Sequence, residues 1–212
     1  ERACSGGSAK ACNNQALFFA VGVGVPADPK RAAGLYQQAC NGSEPLGCRN
    51  LGLMYEEGRV VPQDIDRAMK LFARACELGS APGCNNLGRR LMSLGKGKEA
   101  AAALTKACEG GDPAACRNMG VLYAEGRALP KNYQAALPWF RQACDAGDVI
   151  GCRNLGLLTT KGLGVAVDRA RGRALLEVAC LAGDTPGCSA LRAEGWPLPQ
   201  DSLRPDAGAD RR

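Results

Sequence analysis

Residues 48–76 read CRNLGLMYEEGRVVPQDIDRAMKLFARAC, and this stretch decides the fold. Cys48, Leu51, Gly52 and Tyr55 recur at i, i+3, i+4 and i+7, which is one face of a helix, here called helix A. Gly58 stands where glycine commonly ends a helix. A short loop with Val61 and Pro62 follows, and Asp64 is placed to cap the next helix by accepting from its free backbone N–H groups. Ala68, Leu71, Phe72 and Ala75 then make the apolar stripe of a second helix, helix B. Small residues at Gly52 and Ala68 let the two helices approach closely. The stretch reads as one helix hairpin.

The hairpin returns along the chain. Cysteines fall at 4, 12, 40, 48, 76, 84, 108, 116, 144, 152, 180 and 188, as six C-x7-C pairs. First members of the pairs are 36 residues apart, save one step of 32 between Cys76 and Cys108. A period of this size means stacked supersecondary units. Gly22, Gly126 and Gly162 match Gly58; Asp28, Asn132 and Asp168 match Asp64. The expected fold is all-α, a solenoid of antiparallel helix hairpins over residues 1–195, with five full repeats and a partial terminal unit. Residues 196–212, rich in Pro, Asp and Arg without periodicity, read as a disordered tail, with Trp196 and Leu198 closing the last open helix. Two units depart from the pattern. The Cys84 unit has lost four residues and reads LMSLGKGKEA at its hairpin, which calls for a tighter turn and different capping. The Cys116 unit places Pro138 inside helix B, where a missing N–H and a steric clash predict a kink near residues 134–138.

Cysteine spacing also predicts the pairing. Disulfides could join cysteines eight apart or the two ends of one hairpin, such as Cys48 with Cys76. The eight-residue interval never varies, whereas the longer one shrinks by four in one unit. Only the first scheme uses all twelve cysteines: Cys4–Cys12, Cys40–Cys48, Cys76–Cys84, Cys108–Cys116, Cys144–Cys152 and Cys180–Cys188. Such staples belong to an oxidising compartment, periplasmic or secreted. The 212 residues contain 46% hydrophobic but only 5% aromatic side chains, which suits close helix packing. A net charge of +6 with acids interspersed gives no polybasic nucleic-acid arm, and the few aromatics give no stacking platform for bases. No apolar run is long enough to cross a bilayer. Glu1–Ser8 do not read as a signal peptide, so an exported chain would have had its signal removed. Cys4 has no full helix B before it, and the visible start reads as a trimmed edge of the array.

The string LG-x2-Y-x2-G-x-x-V-x2-D-x3-A, seen best at Leu51–Ala68, resembles the Sel1-like repeat, a relative of the tetratricopeptide repeat. With the C-x7-C staples added, residues 4–190 resemble the Helicobacter cysteine-rich protein family. A mitochondrial oxidase-assembly factor of cysteine-bearing Sel1-like repeats is similar in pattern, and makes the mitochondrial intermembrane space the alternative location for a eukaryotic chain. The resemblance implies a right-handed superhelix with helices A on the concave side. It also implies two activities known among its members, peptide or host-protein binding and weak β-lactamase or penicillin binding.

Candidate site residues follow from the register. The residue two past each second cysteine is Asn14, Asn50, Asn86, Asn118 and Asn154. At 100° per residue this position lies about 160–200° from the core stripe, toward the face that would line a concave groove. Each Asn offers a donor and an acceptor, so a row of them suits an extended peptide backbone. Arg49, Arg117 and Arg153 sit beside the row, with Arg89 and Arg90 in the short unit, and a carboxylate is what such a row would receive. The same Asn residues equally suit a structural role between stacked helices, and the Arg residues a solvated face. Catalytic signals are sparse. The chain has no His, which excludes Ser-His-Asp and Cys-His pairs. Ser93 and Lys96 match S-x-x-K, but the companion S-D-N and K-T-G strings are absent and Gly95 falls between the two. Gly22-Val23-Gly24 and Gly162-Leu163-Gly164 are hairpin turns rather than phosphate loops, since no strand precedes them. The resulting expectation is a monomeric, extracytoplasmic repeat scaffold holding a peptide or protein partner in a groove, with no cofactor and no metal. The alternative is a β-lactam-binding hydrolase.

Overall fold

A computed structural model describes residues 2–126 and 128–199, without the side chains of Arg2 and Ala3. Every element among them is a helix. In chain order these are α1 (Arg2–Ser5), α2 (Ala9–Val21), α3 (Pro29–Asn41), α4 (Pro45–Glu57), α5 (Ile65–Glu77), α6 (Ala81–Ser93), α7 (Gly97–Glu109), α8 (Pro113–Glu125), α9 (Tyr133–Asp145), α10 (Val149–Lys161), α11 (Arg169–Leu181) and α12 (Thr185–Ala193). The even-numbered helices from α2 are the helices A of the repeat; the odd-numbered ones from α3 are the helices B. The chain divides into two compact units, Glu1–Ala115 and Cys116–Arg212.

In the first unit each hairpin packs on itself and on its neighbour: α2 on α3, α4 on α5, α6 on α7, with α3 on α4 and α5 on α6. Helices A also meet one another, α2 with α4 and α4 with α6. The core of the first hairpin is Ala16, Phe19, Ala32 and Tyr36, joined by Leu51 from the next. Gly52 is required by close approach, because a Cβ there would lie 2.7 Å from Phe72 Cε1. In the second unit α9, α10, α11 and α12 pack in order, around Ala136, Phe140, Leu155 and Leu158 and then Leu176, Cys180 and Leu191. Leu198 is buried against this last cluster, with Trp196 beside it and the Arg169 guanidinium 5.1 Å from the indole centroid. These two residues close the final repeat as expected. The tail reading for residues 200–212 lies outside the described residues.

Local signals read from the sequence are realised. Asp28, Asp64, Asn132 and Asp168 accept the backbone N–H three residues on, at 2.8–2.9 Å. Gly22, Gly58, Gly126 and Gly162 take left-handed φ between 67° and 81°. The shortened unit turns through only Leu94–Lys96, and the Lys96 side chain makes no capping hydrogen bond to α7. Pro138 does not interrupt α9: it is the sixth residue, so the backbone bond it forgoes is to Gln134 in the opening turn.

The staples pair as the spacing predicts. Cys4–Cys12, Cys40–Cys48, Cys76–Cys84, Cys144–Cys152 and Cys180–Cys188 are bonded, with Cα atoms 4.4–4.6 Å apart. Cys108 and Cys116 are also disulfide-bonded. The staple loop has its own logic. The third residue after the first cysteine is left-handed, with φ of 85–90° at Gly7, Gly79, Gly111, Gly147 and Gly183 and 64° at Ser43. The next residue caps helix A. This chain reversal takes a set number of residues, which is why the interval is constant.

Candidate functional site

Two of the helix A caps hold an ion pair as well as a backbone amide. Asp148 accepts from Gly151 N–H at 2.6 Å, and Asp184 from Gly187 N–H at 2.8 Å. Both also take a guanidinium from the preceding helix A. Arg117 Nη1 donates to Asp148 Oδ2 at 2.6 Å, and Arg153 Nη1 to Asp184 Oδ1 at 2.8 Å. These pairs are largely desolvated, with side-chain exposures of 21% and 10% for the first and 19% and 9% for the second. Arg117 and Arg153, expected to face a ligand, thus meet carboxylates of their own chain.

Arg49 differs. Its Nη1 donates to Asn50 Oδ1 at 3.2 Å, and its Nε is buried without a partner. Nearby, burial pushes the Tyr36 phenol above the ordinary tyrosine range, and the Arg49 guanidinium works in the opposite direction. Arg90 forms an ion pair with Glu56, so α6 is tied to α4; Arg89 is exposed.

The asparagine column is not uniform. Asn14 is exposed, Asn50, Asn118 and Asn154 are half-buried, and Asn86 is only 7% exposed. Asn50 Nδ2 donates to Asn13 Oδ1 at 3.2 Å, a bond between successive helices A. Asn13 is 2% exposed and was not singled out from the sequence. Its identity varies with Arg49, Arg117 and Arg153 at the same register, which hides its role from a pattern search. Asn118 has an interaction of its own. Asn154 lines a small depression with Val121, Ala124 and Phe140.

Ser93 and Lys96 do not form a pair. Ser93 Oγ donates to the Arg90 carbonyl at 2.8 Å, and Lys96 Nζ lies 3.8 Å from Glu99 Oε2. Lys96 instead edges an apolar groove of the first unit, floored by Met69, Ala73, Leu87 and Leu91. Among the described residues no cluster of His, Cys, Asp and Glu is arranged to hold a metal ion, and no helix is long and apolar enough to cross a membrane. Disulfides at every described staple fit an oxidising, extracytoplasmic environment.

The Sel1 repeat model matches residues 9–43, 45–80, 113–148 and 149–184. The unmatched stretch between them holds the shortened hairpin. A Sel1 repeat protein from Oxalobacter formigenes is 27% identical, with a TM-score of 0.80 over 88% of this chain and 78% of its own. A protective antigen of uropathogenic Escherichia coli displaying an SLR fold is 27% identical, with a TM-score of 0.82 over 99% of this chain but 44% of its own length. Helicobacter pylori cysteine rich protein B is 29% identical over 63% of this chain and 99% of its own, with a TM-score of 0.49. No curated protein matches the chain. Repeat length, hairpin caps, turn glycines and a disulfide at each described staple agree with the family match: the chain belongs to the Sel1 repeat family, in a disulfide-stapled form.

Proposed function

We propose that this chain is a non-enzymatic scaffold, periplasmic or secreted, that holds a peptide or protein partner against its helices A. The observation carrying this reading is the polar face that helices A build in the first unit. α2, α4 and α6 lie side by side, and Asn14 and Asn50 present exposed and half-buried amides along them. A peptide backbone can exchange hydrogen bonds with such amides whatever its side chains. In the second unit Asn118 and Asn154 hold the same place in their own repeats. The reading is tested by panning a random peptide library on the oxidised protein. Selected peptides should bind an Asn14→Ala/Asn50→Ala variant about tenfold more weakly, the effect of losing one or two hydrogen bonds. Circular dichroism should report unchanged helicity. Peptides that bind the variant as tightly as the parent would reject this face.

A further inference from the structure

Repeat register supplies an internal reference for every arginine that follows a second staple cysteine. Arg117 and Arg153 each meet the carboxylate 31 residues further on, which also caps the next helix A. The residue at that distance from Arg49 is Ser80. Its hydroxyl still caps α6, accepting from Gly83 N–H at 3.1 Å, but it brings no charge. Among the described residues no carboxylate pairs with Arg49, and its buried Nε donates to nothing.

A second observation points to the same place. Asn50 Nδ2 donates to Asn13, the residue one past the staple of the preceding hairpin. One repeat on, Asn86 of α6 holds the place of Asn50, and Arg49 of α4, the helix α6 packs against, holds the place of Asn13. Arginine has no acceptor to offer. Asn86 is 7% exposed, and its Nδ2 is buried without a partner. Adjacent helices α4 and α6 therefore carry two unpaired donors, one of them cationic, in matching register. Arg49 itself is half-buried and keeps contact with solvent.

We propose that Arg49 and Asn86 bind a carboxylate carried by the peptide partner, in place of the acidic cap that Arg117 and Arg153 find within the chain. A carboxylate supplies acceptors for both donors and the charge that the guanidinium lacks. Water answers the amide but not the charge. The inference deepens the peptide-binding reading and rests on it only for the identity of the carrier.

The experiment follows the Arg49 Nε–H and Asn86 Nδ2–H2 resonances of isotope-labelled, oxidised protein in chloride buffer. Three probes are titrated: acetate, acetyl-triglycine with a free C-terminus, and acetyl-Gly-Asp-Gly amide; acetyl-triglycine amide is the neutral control. Both resonances should shift saturably with acetate and with at least one acidic peptide, and not with the control. The peptide that responds tells whether the carboxylate is a C-terminus or a side chain. Ser80→Asp installs the carboxylate found at Asp148 and Asp184, and should weaken acetate binding about tenfold or more by occupying the site from within. Arg49→Gln should weaken it as much. Absence of any shift with acetate, or acetate binding that survives both substitutions unchanged, overturns the proposal. Acetate binding with no response to either acidic peptide would leave the anion site standing and reject the peptide face instead.

Discussion

Thr160 stands where other helices A carry Ala20, Glu56 or Ala124, and it has a matched partner across the hairpin. Gly172 occupies the position of Ala32, Ala68 and Ala136, and a Cβ there would sit 2.1 Å from Thr160 Oγ1. The glycine thus makes room for a hydroxyl, which is buried without a partner, and for the backbone of the facing helix, with Thr160 N 2.9 Å and Gly156 O 3.0 Å from that Cβ. Gly172→Ala should cost about 1–3 kcal/mol through overpacking, despite alanine's better helix propensity. Adding Thr160→Ala should recover only part of that loss: it removes the side-chain clash and a buried unpaired hydroxyl, but the Thr160 backbone nitrogen stays 2.9 Å from the new Cβ. Urea unfolding of the two single variants and the double variant checks this; a stabilising Gly172→Ala alone would refute the packing argument. Either residue alone was illegible in the sequence, because its meaning lies in a contact between two helices.

Hairpins are held to one another at the level of elements by a cap with two tasks. Asp184 accepts the Gly187 N–H at the start of α12 and the guanidinium of Arg153 from α10. Asp184→Asn keeps an acceptor for the amide and loses the ion pair, for an expected cost of about 1 kcal/mol. Asp184→Ala loses both and leaves a largely buried guanidinium unpaired, for about 2–3 kcal/mol. Equal losses in thermal unfolding would show that the cap contributes nothing. Caps of helices B were legible from Asp28, Asp64, Asn132 and Asp168, which keep one residue class at one spacing. Caps of helices A were not, because Ser8, Glu44, Ser80, Asp112, Asp148 and Asp184 vary and sit inside the staple loop. That variation is also what distinguishes Arg49 from Arg117 and Arg153.

Across the whole molecule, stability is distributed rather than concentrated. Each repeat buries its own small cluster and shares a disulfide with its neighbour, so the contributions should be nearly additive. A staple that closes so short a loop contributes about 2.5 kcal/mol in the chain-entropy picture. Replacing Cys40 and Cys48 together by alanine should cost about that amount, and so should replacing Cys180 and Cys188. The two losses should add within about 0.5 kcal/mol, since the pairs share no partners. Guanidinium unfolding under non-reducing conditions tests both statements; a single staple whose loss unfolds the chain would contradict the distributed picture.

Sequence alone determined the period, the helix hairpin, the pairing of the described staples and the turns and caps of helices B. These depend on residues at set separations along the chain, and a repeated unit states them several times over. Tertiary structure decided what the polar residues of helices A do. Arg117 and Arg153 meet acidic caps 31 residues away, Asn50 bonds to Asn13, Asn86 is buried, and Ser93 and Lys96 turn to other partners. Periodicity gives a side chain's direction around its own helix but not what the neighbouring helix places opposite. The hydrogen bonds of these side chains depend on that second helix.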